Sequence, residues 1–268
     1  MKSARDILVI DDEDVISHAV QRVCTVEGLT VDIAASAAAG LAQMQHAAYR
    51  LVVCDVMMAD VDGFGFLAEM NRRQDHTPVI MSTGMSTMEN AVRALNSGAI
   101  DFVPKPFTAD ELLTAVRRGL RYATLQDEAR ASAHDERPDS IAWVPPPATY
   151  YRLGYASWLM REHSGTVKIG VTDLFLRTVD MVQSVALLNA GDDLVQGSSC
   201  ATITAADGLE HGVLCPMSGR VVESNAALGS APAVMERDPY FEGWLYRVLP
   251  SELEYDMKHL TACSSDRI

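Results

Sequence analysis

Leu51-Val52-Val53-Cys54-Asp55 decides the fold: a run of apolar residues closes on a carboxylate, and Ile7-Leu8-Val9-Ile10 closes in the same way on Asp11-Asp12-Glu13. In an open parallel sheet, functional groups gather just outside the carboxyl ends of the strands, so these acidic residues are expected to converge on one site. Crowded carboxylates repel one another and stay ionised when a cation sits among them. Oxygen-only ligation with room for water suits Mg²⁺.

Two further strand ends complete the pattern. Pro78-Val79-Ile80-Met81-Ser82-Thr83 finishes in hydroxyls, and Ala99-Ile100-Asp101-Phe102-Val103-Pro104-Lys105-Pro106-Phe107 finishes in a lysine between two prolines. A carboxylate nucleophile, a divalent ion, a hydroxyl and an ammonium are the parts needed to move a phosphoryl group onto Asp55, because that chemistry is mainly positioning and charge neutralisation. An isolated Asp after an apolar strand is more often a helix cap or a turn residue. Matched groups at successive strand ends instead favour an aspartyl-phosphate site.

Strand and helix patterns alternate through the first 122 residues. Strands are expected at 6–11, 30–35, 50–55, 78–83 and 100–104, and helices at 14–27, 37–47, 64–73, 86–97 and from 108 to about 130. Thr108 with Glu111 has the spacing of a capping box at the last helix start. The alternation implies an α/β domain, a five-stranded doubly wound parallel sheet with helices on both faces.

These residues together resemble the receiver domain of bacterial two-component response regulators, which is flavodoxin-like. The resemblance rests on the acid pair, the central Asp55 with Met58 and Gly63 after it, Thr83, and Lys105-Pro106-Phe107. It implies that Asp55 is the phosphoacceptor and that Asp12, Asp55 and the Met57 carbonyl hold Mg²⁺ directly, with Asp11 acting through water. It also implies that Thr83 and Lys105 contact the phosphoryl group, and that Phe102 is an aromatic switch turning inward as Thr83 moves. Two positions depart from the family: Ala59 replaces the usual proline, and Gly84 replaces the usual alanine. Neither removes a catalytic group.

With 268 residues the chain favours two domains. Its composition is 48% hydrophobic and 22% charged, and no apolar stretch approaches the ~20 residues that cross a bilayer. The start Met1-Lys2-Ser3-Ala4-Arg5-Asp6 has no signal-peptide core, so a cytoplasmic location is expected. A net charge of −14 argues against a large nucleic-acid surface. The local basic group Arg117, Arg118 and Arg121 is read as a solvated or dimer-facing helix surface. The 5 cysteines show no Cys-x-x-Cys spacing, and Cys24 and Cys54 read as small buried hydrophobes.

The receiver is therefore expected over 1–125, with a helical extension and proline-rich linker over 126–149 and a second domain over 150–260. Trp143-Val144-Pro145-Pro146-Pro147 reads as a stiff extended spacer. Beyond it lie short β-like runs divided by Gly, Asp and Asn. Gly170-Val171-Thr172-Asp173, Gly191-Asp192 with Gly197, Pro216-x-Ser218-Gly219, Asn225-x-x-Leu228, Asp238-Pro239-Tyr240 and Gly243-Trp244-Leu245 resemble the H-protein of the glycine cleavage system. That resemblance implies a mainly β, lipoyl-type barrel-sandwich hybrid with a C-terminal helix. In H-proteins a hairpin tip carries the lipoyl lysine. Counting back from Pro216 puts Gly208 there, and no lysine occurs between Lys168 and Lys258. If Asp207-Gly208 form a two-residue turn, Cys200 falls opposite Cys215 at a hydrogen-bonded pair. These two and His211 are read as structural.

The function expected is that of a response regulator, phosphorylated on Asp55 by a cognate sensor histidine kinase and acting through a protein partner of the H-protein-like domain. Phosphorylation is expected to shift a two-state equilibrium through Thr83 and Phe102 and to alter the face around 86–122, a candidate dimer surface. Enzymatic character is limited to phosphoryl transfer to Asp55 and its hydrolysis. The alternatives are a DNA-binding transcriptional regulator, which would need a helix-turn-helix and a basic face, and a lipoyl or aminomethyl carrier, which would need an attachment lysine.

Overall fold

Five parallel strands, in the order β2-β1-β3-β4-β5, form the first sheet. They are β1 (Ser3–Ile10), β2 (Val31–Ala34), β3 (Ala47–Asp55), β4 (Val79–Thr83) and β5 (Asp101–Pro104). Helices α1 (Asp14–Val26), α2 (Ala37–His46), α3 (Gly63–Arg72), α4 (Met88–Asn96) and α5 (Ala109–Ser132) alternate with them. The computed structural model describes residues 3–59, 61–84, 87–132 and 143–266, and the chain divides into the units Met1–Ala131 and Ser132–Ile268.

Both faces of this sheet are buried, which is why its strands read as apolar runs. Leu8, Ile10, Val52, Cys54, Val79 and Met81 pack with Met44 of α2 and Phe66, Leu67 and Met70 of α3. The alternate residues meet α5, where a Cβ on Gly119 would stand 2.7 Å from Leu51 Cδ1 and 3.3 Å from Ile80 Cδ1. Thr108 and Glu111 close the expected capping box at the start of α5. Strand β3 begins earlier than expected because Ala47–Tyr49 pair with Ser3–Arg5. Helix α4 begins later than expected, at Met88, with the Thr87 hydroxyl accepting from the Asn90 amide. Residue 86, where the helix was expected to begin, lies outside the described residues.

The basic cluster on α5 is only partly solvated. Arg117 pairs with Glu27 at 2.6 Å, while Arg118 is buried against Asp101.

The second unit is antiparallel. Strands β6 (Tyr151–Leu153), β7 (Ser157–Arg161), β8 (Val167–Val171), β9 (Val182–Leu187) and β10 (Asp193–Leu194) are followed by β11 (Ser199–Ala205), β12 (Glu210–Leu214), β13 (Gly219–Ser224), β14 (Trp244–Pro250) and β15 (Thr261–Ala262). One sheet has the order β10-β13-β14-β8-β7-β6-β15 and the other β12-β11-β9. The helices α6 (Asp173–Thr178), α7 (Ala227–Ser230), α8 (Val234–Arg237) and α9 (Leu253–Asp256) are short. The expected C-terminal helix is thus one turn, continued by a 3-10 turn over Met257–His259.

The motif residues of this unit hold its core together. Trp158 is fully buried, its Nε1 donating to the carbonyls of Val171 at 3.0 Å and Pro239 at 3.1 Å. Gly170 lies against that ring, where a Cβ would stand 2.5 Å from Cζ2. Asn225 Nδ2 donates to the carbonyls of Glu242 and Trp244, both at 2.8 Å. Tyr246 on β14 donates its hydroxyl to the Cys200 carbonyl at 2.7 Å and so ties the two sheets together.

The hairpin register differs from expectation. Ala205 pairs with Leu209 through a 2.9 Å bond, Gly208 adopts φ +80°, and the pairing runs Thr204 with Glu210 and Ile203 with His211. The loop therefore has three residues, a turn followed by a left-handed glycine, instead of two. That register by itself would set Cys200 opposite Leu214 and not Cys215, and a bulge between Ser199 and Ala201, with Ser199 paired to Leu214, leaves Cys200 as the extra residue.

The proline segment read as a spacer is fastened to the second unit. The Val144 amide donates to Asp173 Oδ2 at 2.6 Å, and the Val144 carbonyl accepts from the Tyr240 hydroxyl at 2.7 Å. Residues 133–142 of the expected linker lie outside the described residues.

Candidate functional site

Strand order reverses direction around β1, so the ends of β1 and β3 flank the topological switch point where ligands bind in open α/β sheets. Asp11 follows β1, Asp55 ends β3, Thr83 ends β4 and Lys105 follows β5. One carboxylate oxygen from each of Asp11, Asp12 and Asp55 lies within 4.8 Å of the other two. Lys105 Nζ reaches across the sheet to Asp11 Oδ2 at 2.8 Å and Asp55 Oδ2 at 3.0 Å, with Glu13 Oε1 at 3.5 Å. Asp11 and Asp55 are buried and Asp12 is exposed.

Three carboxylates against one ammonium leave two formal negative charges in the cluster. Burial pushes the Asp11 carboxyl above its ordinary value, against the lowering effect of Lys105 and the Glu13 amide. Burial alone would lower Lys105, but its bonds to Asp11 and Asp55 hold the ammonium above its ordinary value. The donor set is all oxygen and the uncompensated charge is that of a divalent cation, so a hard ion such as Mg²⁺ fits the residues present.

The loop after β3 shapes the entrance. Met57 donates its amide to Asp55 Oδ1 at 3.2 Å, while its side chain is exposed. Gly63 must be glycine, since a Cβ there would stand 2.4 Å from the Asp55 carbonyl oxygen and 2.6 Å from Met81 Cε. Ala59 donates its amide to Asp12 Oδ2 at 3.2 Å. A proline at this position, the usual residue in receivers, has no such donor. At Gly84 a Cβ would meet nothing within 4 Å among the described residues.

Thr83 is buried at the end of β4, and its carbonyl accepts from the Lys105 amide at 2.7 Å. Phe102 is half-buried and packs against the core on the α2 and α3 face. Two residues near the cluster had no individual role assigned from the sequence. Glu13 is visible in the acidic triplet, but its approach to Lys105 depends on the turn after β1. Ser82 is buried in register with Asp55, and the sequence marks it only as one of the two hydroxyls that end β4.

In the second unit, Cys200 and Cys215 are buried free thiols. The hydrogen bond between them and burial raise the Cys200 thiol well above its ordinary value, which disfavours the reactive thiolate. The hairpin tip, Ala206-Asp207-Gly208, is exposed and carries no amine.

Residues 7–117 match the family model of the response regulator receiver domain, and residues 149–266 match that of the glycine cleavage H-protein. The chain is similar to transcriptional regulatory protein TcrA of Mycobacterium tuberculosis, 35% identical over 133 residues that cover 50% of this chain and 53% of TcrA. It is also similar to regulatory protein AtoC of Escherichia coli, 32% identical over 143 residues that cover 53% of this chain and 30% of AtoC. Among solved structures, the receiver domain of NtrX from Brucella abortus is 38% identical, with 43% of this chain and 98% of that chain covered and a TM-score of 0.41. The matches to TcrA and AtoC span about half of those proteins or less. The chain thus carries a receiver domain followed by an H-protein domain. No helix among the described residues is long and apolar enough to cross a membrane.

Proposed function

We propose that this chain is a two-component response regulator in which a sensor histidine kinase supplies the phosphoryl group that Asp55 accepts. The observation that carries the reading is the bridging of Asp11 and Asp55 by the buried Lys105 ammonium at the switch point of the sheet. An Asp55 oxygen attacks phosphorus, the donor's phosphorus–nitrogen bond breaks, and the electron pair leaves on the donor imidazole. Lys105 donates to the incoming phosphoryl oxygens, and Thr83 supplies a hydroxyl to them as the transfer completes. Asp12, Asp55 and the Met57 carbonyl would hold Mg²⁺, with Asp11 acting through water. When bound, such an ion would supply positive charge to offset that on the transferred group.

The output in this reading is protein interaction through the second domain, with Thr83 and Phe102 as the switch and a second receiver copy as one partner. Chemistry is confined to phosphoryl transfer to Asp55 and hydrolysis from it, in keeping with a cytoplasmic signalling role. A DNA-binding output is disfavoured because the longest described helix of the second unit, α6, has only 6 residues. Carrier chemistry is disfavoured because the exposed tip has Gly208 where H-proteins carry the lipoyl lysine.

Intact mass and light scattering with Mg²⁺ and a small phosphodonor test the proposal, with Asp55→Asn as control. One added phosphoryl group in the wild type and none in the control is expected, together with a change in association. A wild type that acquires no adduct overturns it.

A further inference from the structure

We propose that Ser82 is a positioning residue that stabilises the phosphorylated form of Asp55, an inference that rests on the reading of Asp55 as phosphoacceptor. Ser82 is paired in register with Asp55 on β3 and with Val103 on β5. Residues in register on neighbouring strands carry their side chains on the same face. Here it is the face toward α5, because Leu51 and Ile80, which stand in the same alternating rows as Asp55 and Ser82, lie against Gly119 of that helix. Lys105 starts beyond β5 and must cross β4 to reach Asp55 and Asp11. Its path therefore passes over the row in which Ser82 stands.

Ser82 is 3% exposed, and its Oγ has no hydrogen-bond partner among the described residues. A buried hydroxyl in that state has given up its bonds to water and received nothing in return. The bonds around Asp55 say when it would be paired. As found, Asp55 Oδ1 accepts from the Met57 amide and Oδ2 from Lys105. When an Asp55 oxygen forms its bond to phosphorus and the donor's bond to phosphorus breaks, the new phosphoryl oxygens draw Lys105 away from the carboxylate. The Asp55 oxygen left behind loses that donor, and the Ser82 hydroxyl replaces it. The resting site contains an unpaired hydroxyl and the phosphorylated site does not, so Ser82 favours the phosphorylated form.

The test uses the full chain as wild type, Ser82→Ala, Ser82→Thr and Asp55→Asn, with Mg²⁺ and acetyl phosphate as the probe. Intact mass gives adduct occupancy and, after donor removal, its rate of loss, while urea unfolding gives stability. Ser82→Ala is expected to be at least as stable as the wild type, since an orphan hydroxyl is removed, yet to lose its adduct roughly tenfold faster. Ser82→Thr, which keeps the hydroxyl, is expected to restore the wild-type lifetime. Equal occupancy and lifetime in wild type and Ser82→Ala overturn the role of Ser82 while leaving Asp55 as acceptor. No adduct on the wild type, or one that persists in Asp55→Asn, overturns the underlying reading instead.

Discussion

Arg118 on α5 and Asp101 on β5 form a buried ion pair in which both Nε and Nη2 of the guanidinium donate to Asp101 Oδ2. Asp101 Oδ1 also accepts from the amide of Phe102, the expected switch residue, at 2.9 Å. Removing one partner of such a pair leaves an uncompensated charge in the interior. Arg118→Met is expected to lower stability by about 3–5 kcal/mol, and Arg118→Met with Asp101→Leu to recover most of that loss. Denaturation followed by circular dichroism checks this, and a single variant as stable as the wild type would contradict it.

The Ala59 amide bonded to Asp12 is a donor that proline cannot supply. A hydrogen bond to Asp12 Oδ2 takes one of its lone pairs and draws electron density from the oxygen that would ligate a cation. Ala59→Pro is expected to tighten Mg²⁺ binding by roughly 2- to 10-fold, the equivalent of one ordinary hydrogen bond. Calorimetric titration measures it, and weaker binding in the variant would count against this account.

Asp11 gives the site a pH signature. Its folded carboxyl titrates above the ordinary 3.8, so the folded chain binds this proton more readily than the unfolded chain. That contribution to stability is full below pH 3.8 and is lost as pH rises through the folded value. At pH 7 the ionised group therefore carries a burial penalty. With chelator present, Asp11→Asn is expected to raise the unfolding midpoint at pH 7, by an amount that shrinks as pH falls toward 3.8. Added Mg²⁺ should stabilise the wild type more than the variant. A variant less stable than the wild type at pH 7 would show that the bond to Lys105 outweighs the burial.

Val144 should behave as a fixed point of the second unit. Its amide reaches Asp173 Oδ2, and Asp173 is itself buried. Asp173→Ala is expected to speed hydrogen exchange at the Val144 amide by more than tenfold while amides within β11 keep their protection. Unchanged exchange would mean that the Tyr240 bond alone holds the segment.

Much of the first unit was legible because the stretches of β1 and β3 buried on both faces, residues 7–10 and 51–54, are wholly apolar up to the carboxylates that follow them. The change from Cys54 to Asp55 therefore marks both a strand end and a site. Helix starts were legible where a side chain closes the cap, as at Thr108. What escaped depends on geometry that composition does not carry. A three-residue loop and a bulge moved the pairing of Cys200, although Asp207-Gly208 has the residues of a two-residue turn. Arg118 reads as solvated, yet its neighbour across the fold is Asp101. Val144 precedes three prolines that suggest a free spacer, but its anchor, Asp173, is 29 residues away. Ser82 reads only as one of two hydroxyls closing β4, and which of them shares a face with Asp55 waits on the register.

The sealing of Trp158 against Gly170 also gives the chain an optical partition. All three tryptophans, Trp143, Trp158 and Trp244, belong to the second unit, whereas the long helices α1 to α5 lie in the first. Indole emission therefore reports on the β-rich half, while the helical ellipticity comes mainly from the receiver. A single unlabelled sample followed by both signals resolves whether the halves melt together or apart.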